Sequence, residues 1–249
     1  MSVKVFRKSL DQEVHLLRGT GMSNTYVMGK RRLVVVDPGA ASSAQSVLDF
    51  VTQELGKKPA DIREIVVTHL HCDHIGGVAE LADATGAKVA LSEAARGYVE
   101  GWKRMPWAPI AGWMEMVSMW KGTEFTLPTL RDMVHMPWVG SPLARRHTPP
   151  FRVSRWLKDG EPLSKGEGSR WTVLATPGHT DDSICLWDRR AKALVSGDVV
   201  LGFSGKAVFN PFFAFDREKL ASERRLKKLN VRRVFPGHGM PVAGTPEDP

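Results

Sequence analysis

Cysteine and tyrosine are scarce in this chain, and long apolar runs are missing altogether. The two cysteines, Cys72 and Cys185, lie far apart and show no CxxC spacing, so no structural disulfide is expected. No stretch approaches the roughly 20 apolar residues that span a bilayer. Residues 1–10 alternate charged and apolar side chains and lack the continuous apolar core of a secretory leader. A cytoplasmic protein without a membrane partner is expected. With only Tyr26 and Tyr98 present, any chemistry that needs a tyrosine acid has few candidates.

What is present has the composition of an ordinary folded protein, 42% hydrophobic and 25% charged. At 249 residues the chain can bury a substantial core, and a single domain over residues 1–249 is the starting expectation. The formal charge of +8 favours association with anionic partners. Much of the excess sits at Arg224, Arg225, Lys227, Lys228, Arg232 and Arg233, with no aromatic residues between them. That pattern reads as the solvated face of a helix, and nucleic acid is not expected as a partner.

Along the chain, Val3 to Phe6, Glu13 to Leu17, Asn24 to Met28 and Leu33 to Val36 read as strands of an antiparallel meander. Asp37-Pro38-Gly39 breaks it. Ser42 or Ser43 then caps a helix to about Leu55, with Val47, Leu48, Val51 and Leu55 at helical spacing. A buried strand from Ile65 to Thr68, a helix from Val78 to Thr85 and a strand from Lys88 to Leu91 give a β-α-β order. From about 96 to 165 the periodicity degrades, prolines recur, and most of the tryptophans and methionines collect. This stretch reads as an insertion. Strands resume at Trp171 to Ala175, Ser183 to Trp187 and Ala193 to Ser196, followed by a helix from Arg217 to Leu229, a strand from Val231 to Phe235 and an irregular tail.

The informative run is Thr68-His69-Leu70-His71-Cys72-Asp73-His74, placed after a buried strand and before Gly76-Gly77. Side chains two apart point the same way where a chain leaves a strand, so His69 and His71 can grip one metal. Asp73 and His74 come after the turn and can address a second. Three further runs, Thr176-Pro177-Gly178-His179-Thr180, Ser196-Gly197-Asp198 and Phe235-Pro236-Gly237-His238-Gly239, also sit at strand exits. The glycine beside each ligand permits close approach of backbone to an ion. Five of the eight histidines fall in these runs. His15, His135 and His147 lie outside them and read as structural. Cys72 alternates with the ligands and reads as packing, and Cys185 as core. Thr68, Thr180 and Asp182 are candidates to orient the ligating histidines.

With these residues in place, the sequence resembles the metallo-β-lactamase superfamily over nearly the whole chain except the insertion. The resemblance implies an α/β fold, a four-layer αβ/βα sandwich, here carrying the Trp/Met-rich segment at about 96–165 as a lid. It implies that His69, His71 and His179 hold one metal, that Asp73, His74 and His238 hold a second, and that Asp198 bridges them. Two divalent ions are expected, zinc first, with manganese or iron also compatible with a His/Asp donor set. Such a pair activates a shared water and polarises a carbonyl or phosphoryl oxygen, and Asp73 can orient that water.

An aspartate at 198 resembles the dinuclear glyoxalase II-like and lactonase-like branch. Glyoxalase II proper carries a further C-terminal helical domain, whereas this sequence ends eleven residues after His238, so a glutathione thioesterase is less favoured. In the insertion, Ile110, Trp113, Met114, Val117 and Trp120 form an apolar stripe at helical spacing. Such a stripe serves a core, a homodimer interface or, as a lid, an apolar substrate pocket lined by Trp113, Met114 and Trp120. Arg145, Arg146 and His147 would offer an anionic anchor. The expected activity is hydrolysis of a small-molecule lactone or carboxylic ester with a hydrophobic substituent. The alternatives are a mononuclear iron, persulfide dioxygenase-like oxidoreductase, a thioesterase, a nucleic-acid phosphodiesterase, and a non-catalytic binding protein, which would not need every ligand.

Overall fold

The computed structural model describes residues 2–6, 14–18, 22–104, 123, 129–135, 148–163, 170–212 and 215–248. They divide into two compact units, one within 1–91, 97–104 and 126–156, the other within 92–96, 105–125 and 157–249.

The first unit is built on a seven-stranded sheet whose strands lie in sequence order. β1 (Ser2–Phe6), β2 (Val14–Arg18), β3 (Thr25–Met28) and β4 (Leu33–Val36) form the predicted antiparallel meander. β5 (Ile62–Val66) and β6 (Lys88–Ser92) then add in parallel, and β7 (Arg155–Leu157) closes the order. Parallel neighbours need a crossover long enough to return the chain. α1 (Ser43–Asp49), which widens into a π turn over Phe50–Glu54, makes the first crossover, and α2 (Cys72–Ile75) with α3 (Val78–Thr85) makes the second. β4 reads Leu-Val-Val-Val, with Leu33, Val35 and Val36 each at 0% exposure, the near-continuous apolar run of a strand covered on both faces.

Ser42 sits at the N-cap of α1, but its hydroxyl makes no capping bond. Its backbone is already helical (φ −73°, ψ −15°), whereas capping needs the extended conformation that swings the oxygen over the first turn. The Ser42 N–H instead donates to Asp132 Oδ1 at 2.8 Å. Beyond α4 (Arg96–Val99), Asp132 belongs to a capping box at α5 (Leu130–His135): Thr129 N–H donates to its Oδ2 at 2.9 Å, while Asp132 N–H donates to Thr129 Oγ1 at 3.2 Å. Burial works to raise the Asp132 carboxyl pKa, but the bonds from Thr129 and Ser42 outweigh it and hold the group below the usual range.

The second unit holds a five-stranded sheet ordered β14-β13-β10-β9-β8 and a separate hairpin, β11–β12. Its strands are β8 (Trp171–Ala175), β9 (Ile184–Asp188), β10 (Ala193–Gly197), β11 (Val200–Phe203), β12 (Lys206–Phe209), β13 (Arg233–Pro236) and β14 (Val242–Ala243). α6 (Asp216–Lys227) packs Leu226 into a core shared with Leu194, Phe209 and Val234. The tail read as irregular contributes β14, which pairs antiparallel with β13. Two residues are too few for alternation to register. The basic cluster on α6 behaves as a helix face: Arg225 donates to Asp159 Oδ1 and the Ala175 carbonyl, and Lys227 pairs with Asp248 at 2.7 Å.

Among the described residues no helix is long and apolar enough to cross a membrane. The proposed lid and anchor residues Ile110, Trp113, Met114, Val117, Trp120, Arg145, Arg146 and His147 lie outside the described residues.

Candidate functional site

Each unit gathers its own share of the predicted ligands at strand exits. In the first unit, β4 and β5 run parallel with Val36 opposite Val66, so the residues just past them emerge side by side. Past β4 comes Asp37, whose N–H donates to the Val66 carbonyl at 2.9 Å. Past β5 come Thr68 and the histidine run. Asp37 is 2% exposed and its carboxylate accepts three hydrogen bonds: from Thr68 N–H (2.7 Å), from the Thr68 hydroxyl (2.7 Å) and from His74 Nδ1 (3.0 Å).

These bonds fix the proton positions on two imidazoles. A carboxylate only accepts, so His74 Nδ1 is the donor here and Nε2 is the nitrogen turned toward Asp73. Thr68 has one hydroxyl proton, already donated to Asp37, so its oxygen accepts from His69 Nδ1 at 3.1 Å. With Nδ1 turned to Thr68, His69 Nε2 lies 3.0 Å from His71 Nδ1. Two nitrogens each about 2.0–2.1 Å from a tetrahedral zinc would stand roughly 3.3 Å apart, so this spacing fits a shared ion. Asp73 and His74 follow on α2, with Asp73 Oδ2 3.6 Å from His74 Nε2. Ser23 Oγ donates to the Asp73 carbonyl at 2.5 Å and ties that turn to the segment before β3.

The loop carrying Asp37 lies against the helix that follows the histidines. A Cβ on Gly77 would stand 2.6 Å from the Pro38 carbonyl oxygen, and one on Gly76 would stand 2.9 Å from the Ala40 backbone. The Gly76-Gly77 pair is thus a matter of space rather than of turn conformation. Asp37 itself adopts φ +49°, a left-handed backbone that costs a non-glycine residue of order 1 kcal/mol or more and persists only where surrounding contacts hold it.

In the second unit β8 and β10 flank antiparallel β9, and β13 lies parallel to β10, so β8, β10 and β13 end on one edge. His179, Asp198 and His238 follow those three strands. Asp198 Oδ2 lies 3.2 Å from His238 Nε2 and 3.6 Å from His179 Nε2. His179 Nδ1 stands 2.9 Å from the Phe212 carbonyl, which can only accept, so Nδ1 donates there and Nε2 is the nitrogen turned toward Asp198. Gly178 sets the approach of this loop: at φ +152°, a Cβ there would stand 2.7 Å from Lys219 Cα on α6. Gly237 N–H donates to the Gly197 carbonyl at 2.7 Å, and Gly202 N–H to the His238 carbonyl at 2.9 Å. The Asp198 and His238 turns are pinned to each other and to β11.

Of the proposed orienting residues, Thr68 bonds a ligand ring as expected. Thr180 instead pairs its hydroxyl with Ser183 at 2.7 Å, and Asp182 is buried at 1% exposure. Asp37, Ser23 and Asn210 were missed, since single polar residues carry no spacing signal. His15 is buried with its ring 5.1 Å from that of Phe50, and His135 Nδ1 bonds the Arg131 carbonyl at 2.9 Å, so both are structural. Cys185 is buried, and burial pushes its thiol up to about 12. Cys72 is partly buried, its thiol raised by burial and by Asp73. Tyr26 and Tyr98 lie in the core at 1% and 0% exposure.

Residues 18–238 match the family described as the metallo-beta-lactamase superfamily. Among curated proteins, the chain is 28% identical over 224 residues to an acyl-coenzyme A thioesterase, MBLAC2, of Gallus gallus, covering 85% of this chain and 70% of that protein. It is 28% identical over 199 residues to a hydroxyacylglutathione hydrolase of Bdellovibrio bacteriovorus, covering 80% of this chain and 55% of that one. The chain thus spans little more than half the length of some of the curated relatives it matches. Among solved structures, that of TTHA1623 in a di-iron-bound form superposes with a TM-score of 0.58 at 24% identity, covering 92% of each chain. That likeness shows a common fold, the α/β architecture expected from the sequence.

Proposed function

This chain belongs to the metallo-beta-lactamase superfamily, and on that footing we propose that it is a metal-dependent hydrolase of small molecules carrying an ester-like bond. The proposed ligands are His69, His71, Asp73 and His74 from the first unit and His179, Asp198 and His238 from the second. The family pattern pairs His69, His71 and His179 on one ion and Asp73, His74 and His238 on another, with Asp198 shared. The observation that carries the reading is the orientation of the rings: in both units an acceptor faces Nδ1 of a proposed ligand, which leaves Nε2 as the nitrogen to ligate. Asp37 does this for His74 and Phe212 for His179.

Imidazole and carboxylate donors together suit zinc, with manganese and iron as alternatives. When bound, a pair of such ions supplies an activated water and a Lewis acid for the substrate carbonyl. The chain's own residues do the rest. Asp73, 9% exposed, accepts a hydrogen bond from the attacking water and orients it. Asp37 and Thr68 keep the histidine run from rotating. Neither tyrosine offers a hydroxyl to solvent, so the leaving group takes its proton from another source.

The substrate assigned first is a lactone or carboxylic ester with a hydrophobic substituent, its apolar part received by Trp113, Met114 and Trp120. A thioester is the second reading, favoured by the names of the Gallus gallus and Bdellovibrio bacteriovorus relatives. A panel of acyl lactones, carboxylic esters and acyl thioesters, assayed before and after chelation, tests both. Turnover that disappears on chelation and returns with zinc is expected. Turnover that survives chelation would remove the metal from the reaction, and greater activity on thioesters would reverse the order of the two readings.

A further inference from the structure

The β11–β12 hairpin ends at Asn210, a residue with no place in the predicted ligand set and only 5% exposed. Its N–H donates to the Val199 carbonyl at 3.1 Å, which returns the end of the hairpin to the turn just past β10. From there its side chain makes two bonds of opposite sense. Nδ2 donates to the backbone carbonyl of Asp198 at 2.8 Å, and Oδ1 accepts from Phe212 N–H at 2.8 Å. Phe212 is the residue whose carbonyl faces His179 Nδ1 at 2.9 Å. One buried amide therefore grips the backbone that carries Asp198 with its donor end. With its acceptor end it grips the turn that presents a carbonyl to His179.

Asn210 Nδ2 also lies 3.3 Å from His179 Nδ1. That nitrogen cannot both donate to Phe212 and accept from Asn210. The shorter contact to a carbonyl, which has no proton to give, decides for donation, and the amide nitrogen is left to its bond with Asp198.

We propose that Asn210 is a positioning residue that couples the two metal ligands His179 and Asp198, fixing the tautomer of the first and the backbone of the second. The inference rests on the metal-dependent reading of the site for its consequence, but not for its geometry. The side-chain oxygen of Asn210 holds the Phe212 N–H, which fixes the peptide just before the carbonyl that faces His179. Aspartate at 210 would supply an acceptor for Phe212 N–H but no donor for the Asp198 carbonyl. The hairpin's polar end point, buried beside two predicted ligands, is explained by this double bond.

The test uses the full-length protein with Asn210→Ala and Asn210→Asp. Aspartate keeps the acceptor for Phe212 N–H but replaces the donor to Asp198 with a charged oxygen that also faces His179 Nδ1, so the tie to Asp198 is lost while the tie to Phe212 stays. The first readout is the imidazole ¹⁵N spectrum of His179 in metal-stripped protein. The wild type is expected to show the Nδ1–H tautomer, Asn210→Ala an exchange-averaged mixture, and Asn210→Asp the wild-type pattern. The second readout is zinc affinity, measured by competition with a chromophoric chelator, with zinc as the only added metal. A loss of about 10- to 100-fold is expected in Asn210→Ala, the range for partners that orient ligands, and a smaller loss in Asn210→Asp. A wild-type tautomer in Asn210→Ala, or unchanged zinc affinity when the wild type binds zinc, would overturn the proposal. If the wild type binds no zinc, the zinc assignment fails, and the tautomer comparison still decides the role of Asn210. Should Asn210→Ala fail to fold, Asn210→Asp carries the test: unaltered zinc affinity there would remove the tie to Asp198.

Discussion

Asp198→Ala is expected to abolish turnover, by more than the 10- to 100-fold typical of residues that only orient ligands, while leaving the fold intact. Asp198 is 6% exposed and its Oδ2 faces His238 Nε2 at 3.2 Å and His179 Nε2 at 3.6 Å. Removing it deletes a carboxylate that both imidazoles of this unit face, and with it the negative charge that would offset a divalent cation. The backbone bonds that shape the turn do not depend on the side chain: Asn210 still donates to the residue 198 carbonyl, and Gly237 still donates to Gly197. Circular dichroism of the variant should match the wild type. Steady-state turnover on the best substrate of the panel reads the effect, and retained activity there would remove Asp198 from the reaction.

Asp37→Ala is expected to act on stability and metal binding together. The substitution leaves three buried donors without their acceptor, namely Thr68 N–H, the Thr68 hydroxyl and His74 Nδ1. Each orphaned buried group costs about 1–3 kcal/mol. Partial compensation between neighbouring bonds puts the total on the order of 3–5 kcal/mol, among the largest effects a single substitution produces. For a chain of this size, about 2–4 °C per kcal/mol places the drop in melting temperature near 10 °C. The same change releases the His74 ring, so the metal-stripped and metal-loaded proteins should both melt lower, and the loaded one should lose the larger share. A fall confined to the stripped protein would mean that Asp37 serves the fold and not the ligands.

The two effects are of different kinds, and the difference follows from where the residues lie. Asp198 presents its carboxylate to other proposed ligands. Asp37 presents its carboxylate to one proposed ligand, His74, and to Thr68, which holds another, His69.

Much of this was legible in the sequence because the signals were local. The run from His69 to His74 places four donors within six residues after a buried strand, and β5 ends two residues short of Thr68. The meander and the parallel additions followed from alternation and from the apolar runs of β4 to β6. The β11–β12 hairpin did not, although its turn carries a signal: Ser204 and Gly205 adopt φ +47° and +79°, the left-handed pair that tight hairpins favour. Gly202 interrupts β11 and hides its periodicity, yet a Cβ there would stand 2.2 Å from the Met240 carbonyl oxygen. Spacing on one strand cannot register a constraint imposed by a segment nearly forty residues away. Asp37 and Asn210 escaped for the same reason. Each is a single polar residue after a strand, and what makes it important is the partner across the sheet edge. The Thr129-x-x-Asp132 capping box was local and readable, but it lay inside a stretch treated as an insertion.

The seven side chains are proposed to hold two metal ions, and metal content per chain tests that proposal most directly. Elemental analysis of protein purified with neither added metal nor chelator is expected to give near two zinc or manganese ions per chain. Near one iron per chain would contradict the dinuclear hydrolase and point to oxygen consumption with a thiol or persulfide as the reaction to assay.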